Sequence, residues 1–174
     1  MDKPPTRKAI RIRQFDYASN GAYYVTICTK DRRCVLSDVV YNSPANAVGT
    51  TALGRPQIML TEIGKCLDET IKIANAGNVE INDYVIMPNH FHMVCLLPTA
   101  DDRGRSSLQQ VIKNIKSFTT KRAGYSLWQS RFYEHIIRTR DDHKEIAKYI
   151  HENPLHWQDD KYYVENKINK ENKK

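Results

Sequence analysis

The chain of 174 residues lacks several features that would place a protein in a structural class at once. It has no apolar run near the roughly 20 residues of a membrane-spanning helix, and its first residues lack the apolar segment of a signal peptide. The four cysteines form no CxxC pair, so we expect free thiols in a reducing compartment and no structural zinc. No internal repeat divides the chain. These absences predict a single cytoplasmic domain with no membrane partner.

Positive charge is the property that the sequence has in excess. The formal net charge is +7, and residues 101–140 carry nine Lys or Arg against three Asp or Glu. A solvated helix face normally mixes both signs, whereas an excess of one sign favours a polyanionic partner such as nucleic acid. The candidate DNA-binding residues are Lys113, Lys116, Lys121, Arg122, Arg131, Arg138 and Arg140.

The spacing of apolar residues predicts an α+β fold. The predicted strands span residues 22–29, 34–36, 79–87, 90–97 and 127–138. The predicted helices run from Thr61 to about residue 75, from 106 to 122 and from Asp142 to Asn153. Residues 41–56 are predicted to form a loop. This order predicts a ferredoxin-like antiparallel sheet with helices packed on one face, plus a C-terminal helix. We expect one domain over residues 1–157 and a basic, flexible tail over 158–174.

The C-terminal helix has two sequence signals at its ends. Asp142 followed by Glu145 resembles a capping box, and Pro154 should end the helix because it disfavours helical geometry at Asn153. His143 and His151, which lie within the helix, are expected at the surface.

The stretch Met87-Pro88-Asn89-His90-Phe91-His92 holds the strongest chemical signal. Side chains alternate along a strand, so His90 and His92 share one face, about 6 to 7 Å apart by strand rise, while Phe91 points into a core. Two imidazoles on one face can bind one divalent metal or one phosphate. The alternative is a pair of structural histidines.

The C-terminal helix can complete such a site. Tyr149 and Asn153 are four residues apart and therefore share a helix face. The amide oxygen of Asn153 with His90 and His92 makes a three-ligand set that suits Mg²⁺ or Mn²⁺ better than zinc, because no thiolate or carboxylate completes it. Tyr149 is a candidate nucleophile if a metal polarises the phosphate it attacks, and otherwise a half-buried packing residue.

Three blocks in matching order resemble a known family. The His-Phe-His block resembles the HUH motif of the single-tyrosine transposases. The blocks Trp128-Gln129-Ser130-Arg131-Phe132-Tyr133-Glu134-His135 and Tyr149-Ile150-His151-Glu152-Asn153-Pro154 are similar to those of its branch of repetitive-extragenic-palindrome (REP)-associated tyrosine transposases.

The resemblance implies a metal-dependent endonuclease and strand-transferase acting on single-stranded or hairpin DNA. It implies that Tyr149 attacks the scissile phosphate to form a 5′-phosphotyrosine and that His90, His92 and Asn153 hold the metal. Both a homodimer and a monomer are compatible with it. Two other hypotheses stay open: a non-catalytic nucleic-acid-binding module of ferredoxin-like fold, and a metal-dependent hydrolase in which water attacks.

Overall fold

An antiparallel sheet of four strands forms the centre of the protein. The computed structural model describes residues 21–41, 56–75, 79–97 and 104–164. The elements are β1 (Ala22–Cys28), β2 (Ser37–Val40), β3 (Gln57–Leu60), α1 (Glu62–Asn75), β4 (Tyr84–Ile86), β5 (His90–Leu96), α2 (Gly104–Ala123), β6 (Tyr133–Ile136) and α3 (Arg140–Glu152), and a 3₁₀ helix over Asn153–Asp159 follows α3. The strand order β4-β5-β1-β6 confirms the predicted ferredoxin-like architecture.

The two faces of the sheet bury different kinds of side chain. On one face, Phe91, Met93 and Cys95 pack with apolar residues of α1 and α2 in the main core. On the other face, Val94 packs with Ile150 of α3. Because side chains alternate along β5, His90 and His92 lie on the α3 side. This arrangement confirms that α1 and α2 share one face and that the C-terminal helix lies apart from them.

Several predicted strand boundaries are wrong. β4 and β6 are much shorter than predicted, and Glu80 and Trp128 make only isolated bridges outside them. The predicted strand at 34–36 is irregular, because the N–H of Leu36 donates to Pro88 and its carbonyl accepts from Thr61. The hairpin of β2 and β3 forms instead. Most of the predicted loop 41–56, residues 42–55, lies outside the described residues.

The two helix-start predictions have different outcomes. Thr61 caps α1, since its hydroxyl accepts from the N–H of Gly64 at 3.1 Å, as predicted. The capping box at Asp142 is wrong: Thr139 caps α3, and its hydroxyl accepts from the N–H of Asp142 at 3.1 Å. Thr139 outcompetes Asp142 because it lies in extended backbone directly before the first turn. α3 ends before Pro154, as predicted.

α3 is fixed to the sheet by apolar packing and by one buried acid. Ile150 is fully buried, which contributes about 1.5 to 3 kcal/mol. Asp83, just before β4, lies 3.4 Å from Nε2 of His143 and 3.1 Å from Nε2 of His151. The surface prediction for His143 is wrong, because this histidine is only 1% exposed and faces that carboxylate. Asp83 therefore joins both halves of α3 to the edge of the sheet.

The two histidines also set the ionisation of Asp83. Burial favours the neutral acid, but the hydrogen bonds and charges of His143 and then His151 outweigh burial and hold the pKa of Asp83 below its usual value. Its contribution to stability is therefore present at neutral pH and is lost as the pH falls through the lowered pKa.

In the described part of the chain, no helix is long and apolar enough to cross a membrane.

We predict that Asp83→Asn lowers the free energy of unfolding by about 1 to 3 kcal/mol at neutral pH, because the amide removes the charge that both histidines face. The difference from the unsubstituted protein should shrink as the pH falls below about 4. Urea unfolding at several pH values measures it. The control is Asp38→Asn on exposed β2, which should change stability by no more than about 0.5 kcal/mol. Equal stability of the two variants at neutral pH would show that Asp83 does not hold α3.

Candidate metal and tyrosine site

His90 and His92 converge on one point beneath α3. Their rings are fully buried, with centroids 4.6 Å apart and Nε2 atoms 3.0 Å apart. The rings are thus closer than the strand rise alone implies, because both tilt toward each other. Two nitrogens at neighbouring positions of an octahedral ion with ligand distances near 2.1 Å lie about 3.0 Å apart. The pair therefore has the spacing of two adjacent metal ligands.

Asn89 determines which nitrogen of His90 carries the proton. The amide nitrogen of Asn89 donates to the main-chain carbonyls of Arg32 at 3.2 Å and Tyr162 at 2.7 Å. Its oxygen must then face Nδ1 of His90, which lies 2.9 Å away. Because an amide oxygen only accepts, Nδ1 carries the proton and Nε2 keeps its lone pair. His90 is fixed in the tautomer that a metal ligand requires.

His92 has a more adaptable support on β1. Its Nδ1 lies 2.8 Å from the hydroxyl of Tyr24 and 2.8 Å from that of Thr26. A hydroxyl can donate or accept, so this support tolerates either tautomer of His92. The proton of His92 can occupy Nε2, where it points to His90, or Nδ1, which leaves Nε2 free.

Both imidazoles are neutral at physiological pH. Burial, with smaller effects from the charges of Lys161 and Arg32, lowers the pKa of His90 to about 3. Burial and then His90 hold the pKa of His92 well below its usual value. Neutral imidazole is the form that binds a metal ion.

Tyr149 reaches the histidine pair of its own chain. Its ring centroid lies 5.2 Å from that of His92, and the residue is 41% exposed. Its hydroxyl donates a long hydrogen bond of 3.4 Å to Asp160. Burial and then the charge of Asp160 raise the pKa of Tyr149 to about 12, so its hydroxyl is protonated at neutral pH.

Asn153 lies at the end of α3 and contacts Asp160, which is close to the histidine pair. It is 2% exposed, and its amide nitrogen donates to Asp160 at 3.1 Å. Its amide oxygen is buried and has no hydrogen-bond partner among the described residues. An unpaired buried oxygen is costly unless a ligand satisfies it. The four residues that the sequence proposed for chemistry, His90, His92, Tyr149 and Asn153, thus lie together.

Asp160 is the site residue that the sequence prediction missed. A carboxylate oxygen of Asp160 and one nitrogen each of His90 and His92 lie within 4.8 Å of one another, so the three could hold a metal ion. Tyr162 packs its ring 4.6 Å from His90. Both residues belong to the segment assigned to a flexible tail from 158, but residues up to 164 lie against the domain, and 165–174 lie outside the described residues. The aromatic pair Tyr162-Tyr163 was the only sequence sign of this packing.

Comparisons with known proteins point to one family. No family model matches the chain. It is 28% identical to an uncharacterised protein of Haemophilus influenzae over 91% of its own length and 94% of that protein. It is 33% identical to a REP-associated tyrosine transposase of Escherichia coli, over 58% of its own length and 59% of that protein. A solved structure of such a transposase bound to a REP hairpin matches with a TM-score of 0.57 and 26% identity, over 83% of this chain and 72% of the other.

These similarities support the assignment of the chain to the family of REP-associated tyrosine transposases.

The cleft beside Tyr149 is mainly acidic. It has a volume of about 720 Å³ and passes between α3, Tyr133 and the segment from Asp159 to Lys161. Five carboxylates line it against one lysine, namely Asp142, Glu145, Glu152, Asp159, Asp160 and Lys161. A DNA phosphate that entered along the α3 wall would meet negative charge.

The DNA-binding residues predicted from the sequence do not line that cleft. Lys113, Lys116 and Arg131 line a second groove, of about 710 Å³, between α2 and the segment before β6. Lys116 is half-buried there, and its amino group donates to the carbonyls of Gln129 at 2.8 Å and Ser130 at 3.2 Å. The other four lie exposed at the end of α2 or around the start of α3, namely Lys121, Arg122, Arg138 and Arg140.

Proposed function

We propose that this protein is a transposase that cleaves and rejoins single-stranded or hairpin DNA through a 5′-phosphotyrosine intermediate on Tyr149. The observation that carries the proposal is the 5.2 Å between the ring centroids of Tyr149 and His92 within one chain. A nucleophile and a candidate metal site on the same chain can act on one phosphate without a second subunit. The hairpin bound in the related structure supports DNA as the substrate.

The proposed cleavage is a transesterification. The hydroxyl oxygen of Tyr149 forms a bond to the scissile phosphorus, and the bond from phosphorus to the 3′-oxygen breaks. The phenol loses its proton, and the leaving 3′-oxygen gains one to become a free hydroxyl. Attack by a 3′-hydroxyl on the phosphotyrosine reverses these changes and joins strands, so no external energy source is required.

The residues around His90 fit a divalent metal. His90, His92 and Asn153 would supply two nitrogens and the unpaired amide oxygen, and Asp160 would add a carboxylate. When bound, Mg²⁺ or Mn²⁺ would polarise the phosphate and neutralise its developing charge. The ligand set predicted from the sequence disfavoured zinc because it had no carboxylate. Asp160 supplies a carboxylate, so that reason against zinc no longer holds. The open positions needed for substrate still favour Mg²⁺ or Mn²⁺.

Neighbouring side chains of this protein orient Tyr149 for attack. Asp160 accepts the hydrogen bond of Tyr149 and is placed to hold its hydroxyl toward the histidines. The ring of Tyr24 meets that of Tyr149 edge to face, with centroids 6.4 Å apart, and restricts its rotation. With a pKa near 12, Tyr149 requires a nearby positive charge before it can attack at neutral pH.

We predict that Tyr149→Phe abolishes the covalent protein–DNA adduct, because it removes the attacking oxygen. The substrates are hairpin oligonucleotides with single-stranded flanks of varied sequence, incubated with Mg²⁺ or Mn²⁺. A label on the 3′ end should move with the protein on a denaturing gel, and a label on the 5′ end should leave with a free 3′-hydroxyl. The matched control, Tyr133→Phe in the same cleft, should still form the adduct.

Other outcomes of this experiment separate the alternatives. Adduct formation by Tyr149→Phe would show that another residue is the nucleophile. Cleavage without adduct in the unsubstituted protein would indicate a hydrolase, and metal-independent binding without cleavage would indicate a non-catalytic module. An adduct in a mixture of Tyr149→Phe and His90→Ala proteins, each inactive alone, would show a site shared between two chains.

We predict that Asn89→Ala weakens binding of Mn²⁺ about 10- to 100-fold, because His90 loses the acceptor that fixes its tautomer. Calorimetric titration of the metal alone measures the change without turnover. Asn82→Ala, which changes an exposed side chain just before β4, is the matched control and should bind Mn²⁺ as the unsubstituted protein does. Equal affinity in the two variants would contradict this account of His90.

A further inference from the structure

A strained basic turn lies beside the histidine pair. In the turn Lys30–Arg32, Asp31 and Arg32 have φ angles of 57° and 53°. Such left-handed conformations are strained for most residues other than glycine, and Asp tolerates them better than Arg. Strain of this kind persists where surrounding contacts determine it, and it is concentrated at functional sites.

Buried contacts at the end of β1 hold the turn in place. Thr29 is fully buried, and the carbonyls of Arg33 and Asn89, at 2.9 and 3.0 Å from its hydroxyl oxygen, share the one hydroxyl proton. The N–H of Lys30 donates to the carbonyl of Leu127 at 2.8 Å. These bonds join the turn directly to Asn89, the residue that supports His90. The turn is therefore part of the framework of the site.

Arg32, the last residue of the turn, lies toward the site, whereas Arg33 after it does not. The guanidinium of Arg32 lies 5.4 Å from the ring centre of Tyr162, and the ammonium of Lys161 lies 4.8 Å from the same ring. That ring packs against His90. Arg33 turns the other way and lies 4.5 Å over the ring of Tyr125. Arg32 and Lys161 thus form a basic rim at the edge of the histidine pair.

Lys161 of the basic rim lines the same cleft as an acidic wall. The wall consists of Asp142, Glu145 and Glu152 on α3 and Asp159 beyond it. Charges separated by less than about 8 to 10 Å are incompletely screened at physiological salt, so phosphates are repelled from the wall and attracted to the rim. Arg32 and Lys161 are exposed, which leaves both able to contact a ligand.

We propose that Arg32 and Lys161 bind backbone phosphates of the single strand that flanks the scissile phosphate. The inference rests on the proposed function and assigns the direction of approach. The strand crosses the basic rim to reach Tyr149, and its phosphates avoid the wall on α3. A cleft of about 720 Å³ has the size of a site for a drug-sized ligand, which suits a short piece of single strand and not a duplex stem.

The test measures equilibrium binding of labelled hairpins by the Tyr149→Phe protein, which cannot react. One hairpin carries a single-stranded flank and the other ends at the stem, and both are titrated at several salt concentrations with Mg²⁺ present. Lys161→Gln and Arg32→Gln should each weaken binding of the flanked hairpin about tenfold. Each should also reduce the slope of log affinity against log salt by about 0.7. Binding of the stem-only hairpin should not change.

Two controls separate lost charge from lost structure. Arg32→Lys keeps the charge and should retain the salt slope, whereas Arg32→Gln also loses the hydrogen bond to the carbonyl of Lys161. Lys65→Gln changes the net charge equally at an exposed side chain of α1, on the opposite side of the sheet, and should leave binding unchanged.

The proposal is overturned if Lys161→Gln and Arg32→Gln bind as Lys65→Gln does. It is also overturned if their affinity falls with no change in salt slope, or falls equally for both hairpins. Adduct formation by proteins that retain Tyr149 tests the proposed function separately. If proteins with Tyr149 form the adduct and the Lys161→Gln and Arg32→Gln substitutions do not weaken binding, the proposed cleavage chemistry is retained. Only the role of the basic rim in binding phosphates is then rejected.

Discussion

The alternation of side chains along β5 is the constraint on which the rest of the structure depends. Phe91, Met93 and Cys95 fill the core beneath α1 and α2, so the residues between them must point the other way. A shift of one residue in the pairing of β5 with β1 would place both imidazoles in the apolar core. The same packing that stabilises the sheet therefore presents His90 and His92 to α3.

Burial of two imidazoles requires polar support, and the fold provides it from distant parts of the chain. Asn89 fixes His90 with an acceptor, and the hydroxyls of Tyr24 and Thr26 support His92 from the neighbouring strand. The remaining side of the site is closed by α3, which Asp83 and Ile150 fix to the sheet. Tyr149 reaches the histidines only because this docking sets the position of the helix.

The sequence predicts the parts of this arrangement that depend on local periodicity. The spacing of His90 and His92 reveals their shared face, and the spacing of Tyr149 and Asn153 reveals a shared helix face. The supporting residues have no such signal, because Tyr24 lies 68 positions from His92, and Asp83 lies 68 positions from His151. Asp160 was missed because it lies beyond Pro154, after the end of α3, in a polar segment that has no helical or strand periodicity. The distribution of charge along the sequence predicted only part of the basic surface. The predicted basic residues of 101–140 that the structure describes lie mainly away from the histidines, whereas Arg32 and Lys161 lie beside them.

The central claim is that Tyr149 is the nucleophile of a site within one chain. The rings of Tyr24, Tyr149 and Tyr162 contact His90 or His92, and Tyr133 contacts Tyr24, so loss of activity alone does not identify the reacting tyrosine. Tandem mass spectrometry of the protein–DNA adduct after protease and nuclease digestion identifies it directly. We expect a nucleotide joined through its 5′-phosphate to the hydroxyl oxygen of Tyr149. A modification on any of the other three tyrosines would contradict it.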